Sequence, residues 1–403
     1  MKVLVINCGS STIKFQLINM EEDKLIAKGR CDMVGYDKSN IIYSNVRDKF
    51  SKQEDIPMKD HKAAMQVLLE TLLDKEHGVI SDLSEIYAVG HRVVHGGEIY
   101  SKAEIVNQEL INEVLNLSDL APLHNPGCVM GIQAIMEVAP DLKNVAVFDT
   151  AFHQTIPDYN YIYPIDYSYY EKYKIRRYGF HGTSYMYILD RLEELLGKNK
   201  EEINAIVCHI GSGASICAIK DGKSYDTSMG LTPLEGLMME TRCGDIDPSI
   251  VTKLMEKENL TTKQVEEILN KKSGRVGVCG IGDQRQLIEA AKAGNERAVL
   301  ARNIQTNRTK KYIGSYIAEL NRVDAIVFTG GVGENNDCER EYIISNMELL
   351  GIELDKERNA NQNVSGKETL ISKDSSRIKL YMIPTDEELE IAKQTVEVLE
   401  NVK

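Results

Sequence analysis

Two kinds of apolar patterning alternate along the chain. Short runs rich in β-branched residues read as buried strands: Val3–Ile6, Ile86–Val94, Val145–Phe148, Ile206–Cys208, Ile216–Ile219, Ala325–Phe328 and Ile378–Ile383. Between them, apolar residues recur at helical spacing over 63–73, 107–117, 127–138, 183–196, 248–256, 261–270, 284–293, 296–320 and 386–399. Thr183 or Ser184 is expected to cap the fourth of these helices, and Asp247-Pro248 to open the fifth. The stretch Tyr36–Met58 is polar and shows no clear period. Strands alternating with helices imply an α/β fold.

The first strand stops at Asn7, and Gly9-Ser10-Ser11-Thr12 turn the chain into a second strand, Thr12–Ile18, that carries Lys14. Glycine admits close approach, the hydroxyls donate hydrogen bonds, and lysine supplies charge, so such a turn can wrap a phosphate. An ordinary hairpin would read the same. A second copy changes the balance: Ile206–Ser215 places His209, Gly211 and Ser212 where the first copy has Asn7, Gly9 and Ser10. The copies lie about half a chain apart, which points to duplication. A weaker echo pairs Val145-Ala-Val-Phe-Asp-Thr with Ile326-Val-Phe-Thr-Gly-Gly.

Other residues fit the same chemistry. Thr329-Gly-Gly-Val-Gly-Glu-Asn335 reads as strand, glycine turn, helix, which suits a nucleotide phosphate at a helix N-terminus. Arg92 and Arg242 lie at a strand end and in a glycine-bearing loop, where a guanidinium can grip an oxyanion through two bonds. His181, between Phe180 and Gly182, can donate to a transferring phosphoryl group or be a hydrogen-bonded core histidine. Asp149 and Glu387 sit where strands end or helices begin, and carboxylates there can hold Mg2+, cap a helix or pair with a cation. His91 and His95 have the spacing of a helical metal pair but lie on a strand and turn, and are read as structural.

Composition bounds the class. The 403 residues suffice for two domains with large cores. A formal net charge of −13 disfavours nucleic acid and anionic membranes as partners. Eight cysteines occur singly, without a C-x-x-C pair, as in reduced cytoplasmic proteins. No signal peptide or bilayer-length apolar run is evident.

The ordered motifs resemble the acetate kinase family, within the sugar kinase, Hsp70 and actin-like superfamily, over essentially the whole chain. The resemblance rests on Asn7–Ser11 with Lys14, Gly90–Gly97, Leu123–Pro126, Phe148–His153, Arg177–Ser184, Asp226–Gly236, Phe328–Asn335 and Pro384–Glu388. It implies a duplicated actin-like (ribonuclease H-like) α/β fold with a cleft between two domains. The first would span 1–150, completed by a C-terminal helix at 386–403, and the second 151–385. It also implies reversible transfer from ATP to acetate, giving ADP and acetyl phosphate, with Mg2+ (or Mn2+) in a cytoplasmic homodimer. By the same resemblance, Asn7 and Glu387 are metal positions, and Asp149, His181 and Arg242 catalytic ones. Arg92, Val94, Leu123, Phe180 and Pro233 match the acetate site. Lys14, His209-Ile210-Gly211-Ser212-Gly213, Asp283-Gln284-Arg285 and Gly331-Val332-Gly333-Glu334-Asn335 match the nucleotide site.

A carboxylate acceptor is already ionised at neutral pH and needs no base. Asp149 is therefore read as an orienter of arginine or a ligand of metal-bound water, against the family's acid/base role. A small acyl pocket separates chain lengths by only about 1–3 kcal/mol per methylene, so propionate is expected as a poorer substrate. The chain departs from the family pattern at Tyr185, Ser212, Glu240, Cys243 and the shortened Gly282–Arg285 segment. Glu240, in place of glycine, is expected to add negative charge at the nucleotide side, to fill space the nucleotide needs, or to need a positive φ. These departures leave open another donor such as pyrophosphate, a propionate preference, or a catalytically weak ligand-binding paralogue.

Overall fold

The computed structural model describes residues 1–122, 124–364 and 366–401. The chain forms two compact units: Met1–Gln154 with the segment from Asp386 onward, and Thr155–Thr385. Each is an α/β unit built on one sheet, the duplicated class that the two hairpins imply.

The first sheet contains β1 (Lys2–Cys8), β2 (Thr12–Asn19), β3 (Lys24–Asp32), β4 (Asn40–Asn45), β5 (Phe50–Asp55), β6 (Ile86–Val93), β7 (Glu104–Ile105) and β8 (Asn144–Phe148), in the order β5-β4-β3-β2-β1-β6-β8-β7. Strands β1 to β5 run antiparallel, whereas β1, β6 and β8 are parallel. Period two along β1 explains its unbroken apolar run. Leu4, Ile6 and Cys8 enter the core shared with the helix His61–Leu72, and Val3 and Val5 enter the core shared with the helix Glu387–Glu400. Gly90 accommodates that last helix: a Cβ there would lie 2.4 Å from Thr395 Oγ1 and 2.9 Å from Ile391 Cγ2. The helix Asn125–Val138 closes on the first hairpin, because Gly127 and Gly131 leave room for Gly9 and Cys8.

The irregular-looking stretch 36–58 folds as β4 and β5. Its pattern was hidden by Asn45, a polar residue at a fully buried inward position of β4. Its amide is satisfied by Asp48 (2.8 Å) and the His77 carbonyl (3.1 Å), so burial costs little.

The second sheet contains β9 (Ala205–Ile210), β10 (Ala214–Lys220), β11 (Lys223–Thr227), β12 (Ala325–Thr329), β13 (Thr369–Leu370) and β14 (Lys379–Met382), in the order β11-β10-β9-β12-β14-β13. Here too an antiparallel hairpin, β9–β10, leads to parallel neighbours, β12 and β14. Sheet position pairs β12 with β6 and β14 with β8. The echo between Val145–Thr150 and Ile326–Gly331 therefore joins strands of different rank. Any short apolar strand ending in a polar turn gives that signal.

Candidate active site

Strands that run parallel share one carboxyl end, where ligands meet α/β sheets. In the first unit that end gathers the expected residues. Register places Ile6 beside His91 and Val93 beside Phe148, so Asn7, Arg92 and Asp149 lie at adjacent strand ends. Lys14 is cross-strand from Asn7 and exposed. Arg92 holds Asp149 through Nε (3.0 and 3.1 Å) and Nη2 (2.7 Å). Burial opposes the charge of Arg92, but the Asp149 and Glu387 carboxylates outweigh it and hold its pKa above the ordinary arginine value. Asp149 is only 2% exposed, and both its oxygens engage Arg92, which fits an orienting carboxylate.

Glu387 begins the helix Glu387–Glu400, but the cap is its neighbour: Asp386 accepts from Leu389 N at 2.9 Å. Glu387 is thus half-buried and forms no ion pair within 4 Å among the described residues. Oxygen donors from Asn7 and Glu387 suit a hard cation. No group of three or more His, Cys, Asp or Glu among the described residues could hold a metal. Two such donors would leave water and phosphate to complete the shell of a cation such as Mg2+. His91 instead bonds Asn144 (2.8 Å), and burial lowers its pKa to about 4. His95 Nδ1 accepts from Gly97 N.

In the second unit His181, Arg242 and Gly213 come together. A Cβ on Gly213 would lie 3.5 Å from Arg242 Nη1 and 3.8 Å from His181 Nε2. Arg242 donates to the Pro233 carbonyl (3.1 Å) and has no carboxylate partner within 4 Å among the described residues. Its half-buried charge is therefore uncompensated, and desolvation lowers its pKa. His181 adopts the left-handed conformation (φ 59°, ψ 22°) at the start of the helix Gly182–Leu196, without a side-chain cap bond. Non-glycine residues in that region are strained and recur at functional sites. The expected cap is thus absent. Ser184 instead binds His209 Nδ1 (2.9 Å) and Thr385 Oγ1 (2.8 Å). The His181 and His209 rings stack at 4.2 Å.

The nucleotide segments lie in this unit as well. The turn of the second hairpin closes through Gly211 N to Gly213 O (3.0 Å), and Ser212 is exposed. Ile210 is buried, so it can offer only backbone. Gly330 takes φ +75° and abuts the Ile210 backbone, whereas Gly331 faces open space. The short helix Gly330–Asn335 does not present a bare N-terminus. Glu334 Oε1 accepts from Gly330 N (2.9 Å) and Thr385 N (3.1 Å), making Glu334 a brace within the turn. Val332 is half-buried, Gly333 buried and Asn335 exposed. Asp283 caps the helix Gln284–Lys292, Arg285 is exposed, and Gln284 is buried toward Glu339.

Of the expected difficulties, Glu240 avoids the backbone one. It is absent from the residues with positive φ. Its side chain lies over Gly282, where a Cβ would come within 2.6 Å of Oε1, and the buried Arg275 feels its charge. Val94 and Phe180 are buried, Pro233 is half-buried, and Leu123 lies outside the described residues.

Three supporting residues escaped the sequence reading. Arg177 binds the Thr227 and Met229 carbonyls (2.6 and 3.3 Å) and Glu235 (2.8 Å), pinning the loop that carries Pro233. Arg340, fully buried, grips the Gly333 and Glu334 carbonyls (2.8 and 3.0 Å). Ser215 holds His181 Nδ1 at 2.8 Å. Proximity in sequence to Phe180-His181 and to the glycine turn was the available signal for the two arginines; nothing marked Ser215.

Residues 2–393 match the acetokinase family. The acetate kinase of Caldanaerobacter subterraneus subsp. tengcongensis is 53% identical over 406 residues, covering 100% of both chains. The crystal structure of Porphyromonas gingivalis acetate kinase is similar at a TM-score of 0.94 and 44% identity, covering 99% of each chain. A propionate kinase from Francisella tularensis subsp. tularensis SCHU S4 is similar at 0.91 and 39% identity, covering 98% of each.

Proposed function

The chain belongs to the acetokinase family, and on that premise we propose that it transfers the γ-phosphoryl group of ATP reversibly to acetate, giving ADP and acetyl phosphate. The observation that carries this reading is the uncompensated guanidinium of Arg242 facing His181 Nε2 across the side-chain-free Gly213. Such a gap offers positive charge and a hydrogen-bond donor to phosphoryl oxygens, where charge spreads in the transition state.

The acceptor carboxylate attacks phosphorus without a base, so the residues act by placement and charge. Arg92, fixed by Asp149, binds the acetate carboxylate or the phosphoryl group of acetyl phosphate. The family resemblance gives Val94, Leu123, Phe180 and Pro233 as the positions that take the acyl methyl. The hairpin His209–Gly213, the segment Asp283–Arg285 and the turn Gly331–Asn335 receive the nucleotide, with Lys14 contributing charge. Asn7 and Glu387 would hold Mg2+, with Mn2+ an equivalent hard cation, and the metal neutralises phosphate charge when bound. A homodimer belongs to the same proposal, with twice the 45.3 kDa chain mass in sedimentation.

The test is hydroxylamine trapping of acyl phosphate with acetate, Mg2+ and a panel of donors. ATP is expected to support turnover and pyrophosphate not. Turnover with pyrophosphate but not with ATP, or no turnover with any donor of the panel, overturns the proposal. Arg242→Ala is expected to lower kcat by about 10²–10³, the cost of one lost oxyanion donor, with an unchanged melting temperature. Wild-type kcat in that variant would remove Arg242 from the mechanism.

A further inference from the structure

His181 has two ring nitrogens with different surroundings. Nε2 faces the gap at Gly213, where Arg242 also points. Nδ1 is 2.8 Å from Ser215 Oγ, and Ser215 Oγ is also hydrogen-bonded to the Tyr185 hydroxyl. Tyr185 and Ser215 are both fully buried. Tyr185 lies four residues beyond His181, so the helix start brings both side chains to the same hydroxyl. Ser215 sits on β10, directly across from His209 in β9.

Proton counting gives this chain of three groups a direction. A serine hydroxyl has one proton to donate and two lone pairs to accept with. A phenol is a far stronger acid than an aliphatic alcohol, so the Tyr185 proton goes to Ser215 Oγ. The Ser215 proton is then left for Nδ1. A neutral imidazole that accepts at Nδ1 carries its proton at Nε2. The opposite order, with Nδ1 donating to Ser215, would turn a lone pair toward the gap and repel a phosphoryl oxygen. His209 repeats the motif: its Nδ1 is 2.9 Å from Ser184 Oγ, which is itself bonded to Thr385 Oγ1.

We propose that Tyr185 is a positioning residue which, through Ser215, holds His181 in its Nε2–H tautomer, so that the ring presents a donor to the transferring phosphoryl group. The inference rests on the phosphoryl-transfer role proposed for His181. It adds a specific task for a tyrosine at a position where the family pattern has histidine.

The experiment combines a spectroscopic readout with kinetics on the full-length enzyme. Two-bond ¹H–¹⁵N correlation spectra at pH 7.5 report the tautomer of each histidine, with His181→Asn assigning the His181 signals. Wild type is expected to show His181 as Nε2–H. Tyr185→Phe is expected to show a mixture of tautomers, with kcat reduced about tenfold and both KM values within twofold. Tyr185→His, whose ring can also donate to Ser215, is expected to restore the single tautomer and most of the turnover. A wild-type Nδ1–H spectrum overturns the proposal, as does a Tyr185→Phe variant with unchanged tautomer or unchanged kcat. Failure of the underlying reading looks different: His181→Asn would then turn over like wild type, whatever the spectra show. Should Tyr185→Phe fold poorly, Ser215→Ala carries the same spectroscopic expectation.

Discussion

At the scale of single residues, Asp149 and Gly213 make opposite demands. Asp149 is the buried counter-charge of Arg92. Asp149→Asn leaves that guanidinium with a neutral partner, and breaking a buried pair from one side costs about 3–5 kcal/mol. The expected result is a lower unfolding midpoint in urea and a lower kcat/KM for acetate, while the shape of the pH–rate profile between pH 6 and 9 is retained. A lost basic limb would mean that Asp149 moves a proton after all. Gly213 has a negative φ, and a Cβ there would make only ordinary contacts at 3.5 and 3.8 Å. Gly213→Ala should therefore change stability by no more than about 0.5 kcal/mol. It should still lower kcat about tenfold or more, because the methyl fills the space offered to the phosphoryl group. Calorimetry beside steady-state kinetics separates the two effects.

The residues legible in the sequence were those whose chemistry is unusual for their place. Arginine near the end of a buried strand, histidine between Phe180 and Gly182, and carboxylates at strand ends all announced themselves. Ser215 and Arg340 did not, since a buried serine or arginine is recognisable only once its partners are known. Glu334 was visible but its task was not. A carboxylate in a glycine turn reads as a ligand contact, and only the fold reveals the amides of Gly330 and Thr385 that it satisfies.

At the scale of elements, the two hairpins were plain from sequence because their inward positions are apolar. Strand β4 was not, because Asn45 interrupts its alternation. The loop after β11 (residues 228–248) shows a further limit of pattern reading. It has no period, yet it is held rigidly by Arg177. That arginine is outnumbered by acids. Burial pushes Asp226 up to about 6 and Glu319 to about 7, in each case against the pull of Arg177, and the two carboxyls raise the count of negative charge near one guanidinium. The folded state thus prefers Glu319 protonated. Its stabilising contribution is present below the ordinary carboxyl value of 4.5 and is lost as pH rises toward about 7. Glu319→Gln should match wild type in melting temperature at pH 4.5 and exceed it at pH 8. Equal melting temperatures at both values would show that the carboxyl is not perturbed.

At the scale of the whole molecule, the first unit is discontinuous in sequence. The helix Glu387–Glu400 supplies Ile391, Ala392 and Leu399 to a core with Val3, Val5, Ala88, Val145 and Val147. Burying a side chain such as Ile391 or Leu399 contributes about 1.5–3 kcal/mol. A fragment of residues 1–154 is therefore expected to lack a cooperative thermal transition, and a peptide of residues 386–401 added to it should restore one. A fragment that melts cooperatively by itself would show that the sheet tolerates one bare face. Gly90 bears on the same contact, since a side chain there would meet Thr395 and Ile391.

That late-arriving helix has a consequence for how the protein is made. On the ribosome, the helix that covers one face of β1 emerges some 380 residues after that strand. Throughout synthesis, the face of Val3, Val5 and Val147 awaits a cover that has not yet been translated. The second unit, Thr155–Thr385, lies entirely within that interval and can complete itself first. The order of maturation is thereby inverted relative to the order of synthesis, and that apolar face stays uncovered until the helix has been translated.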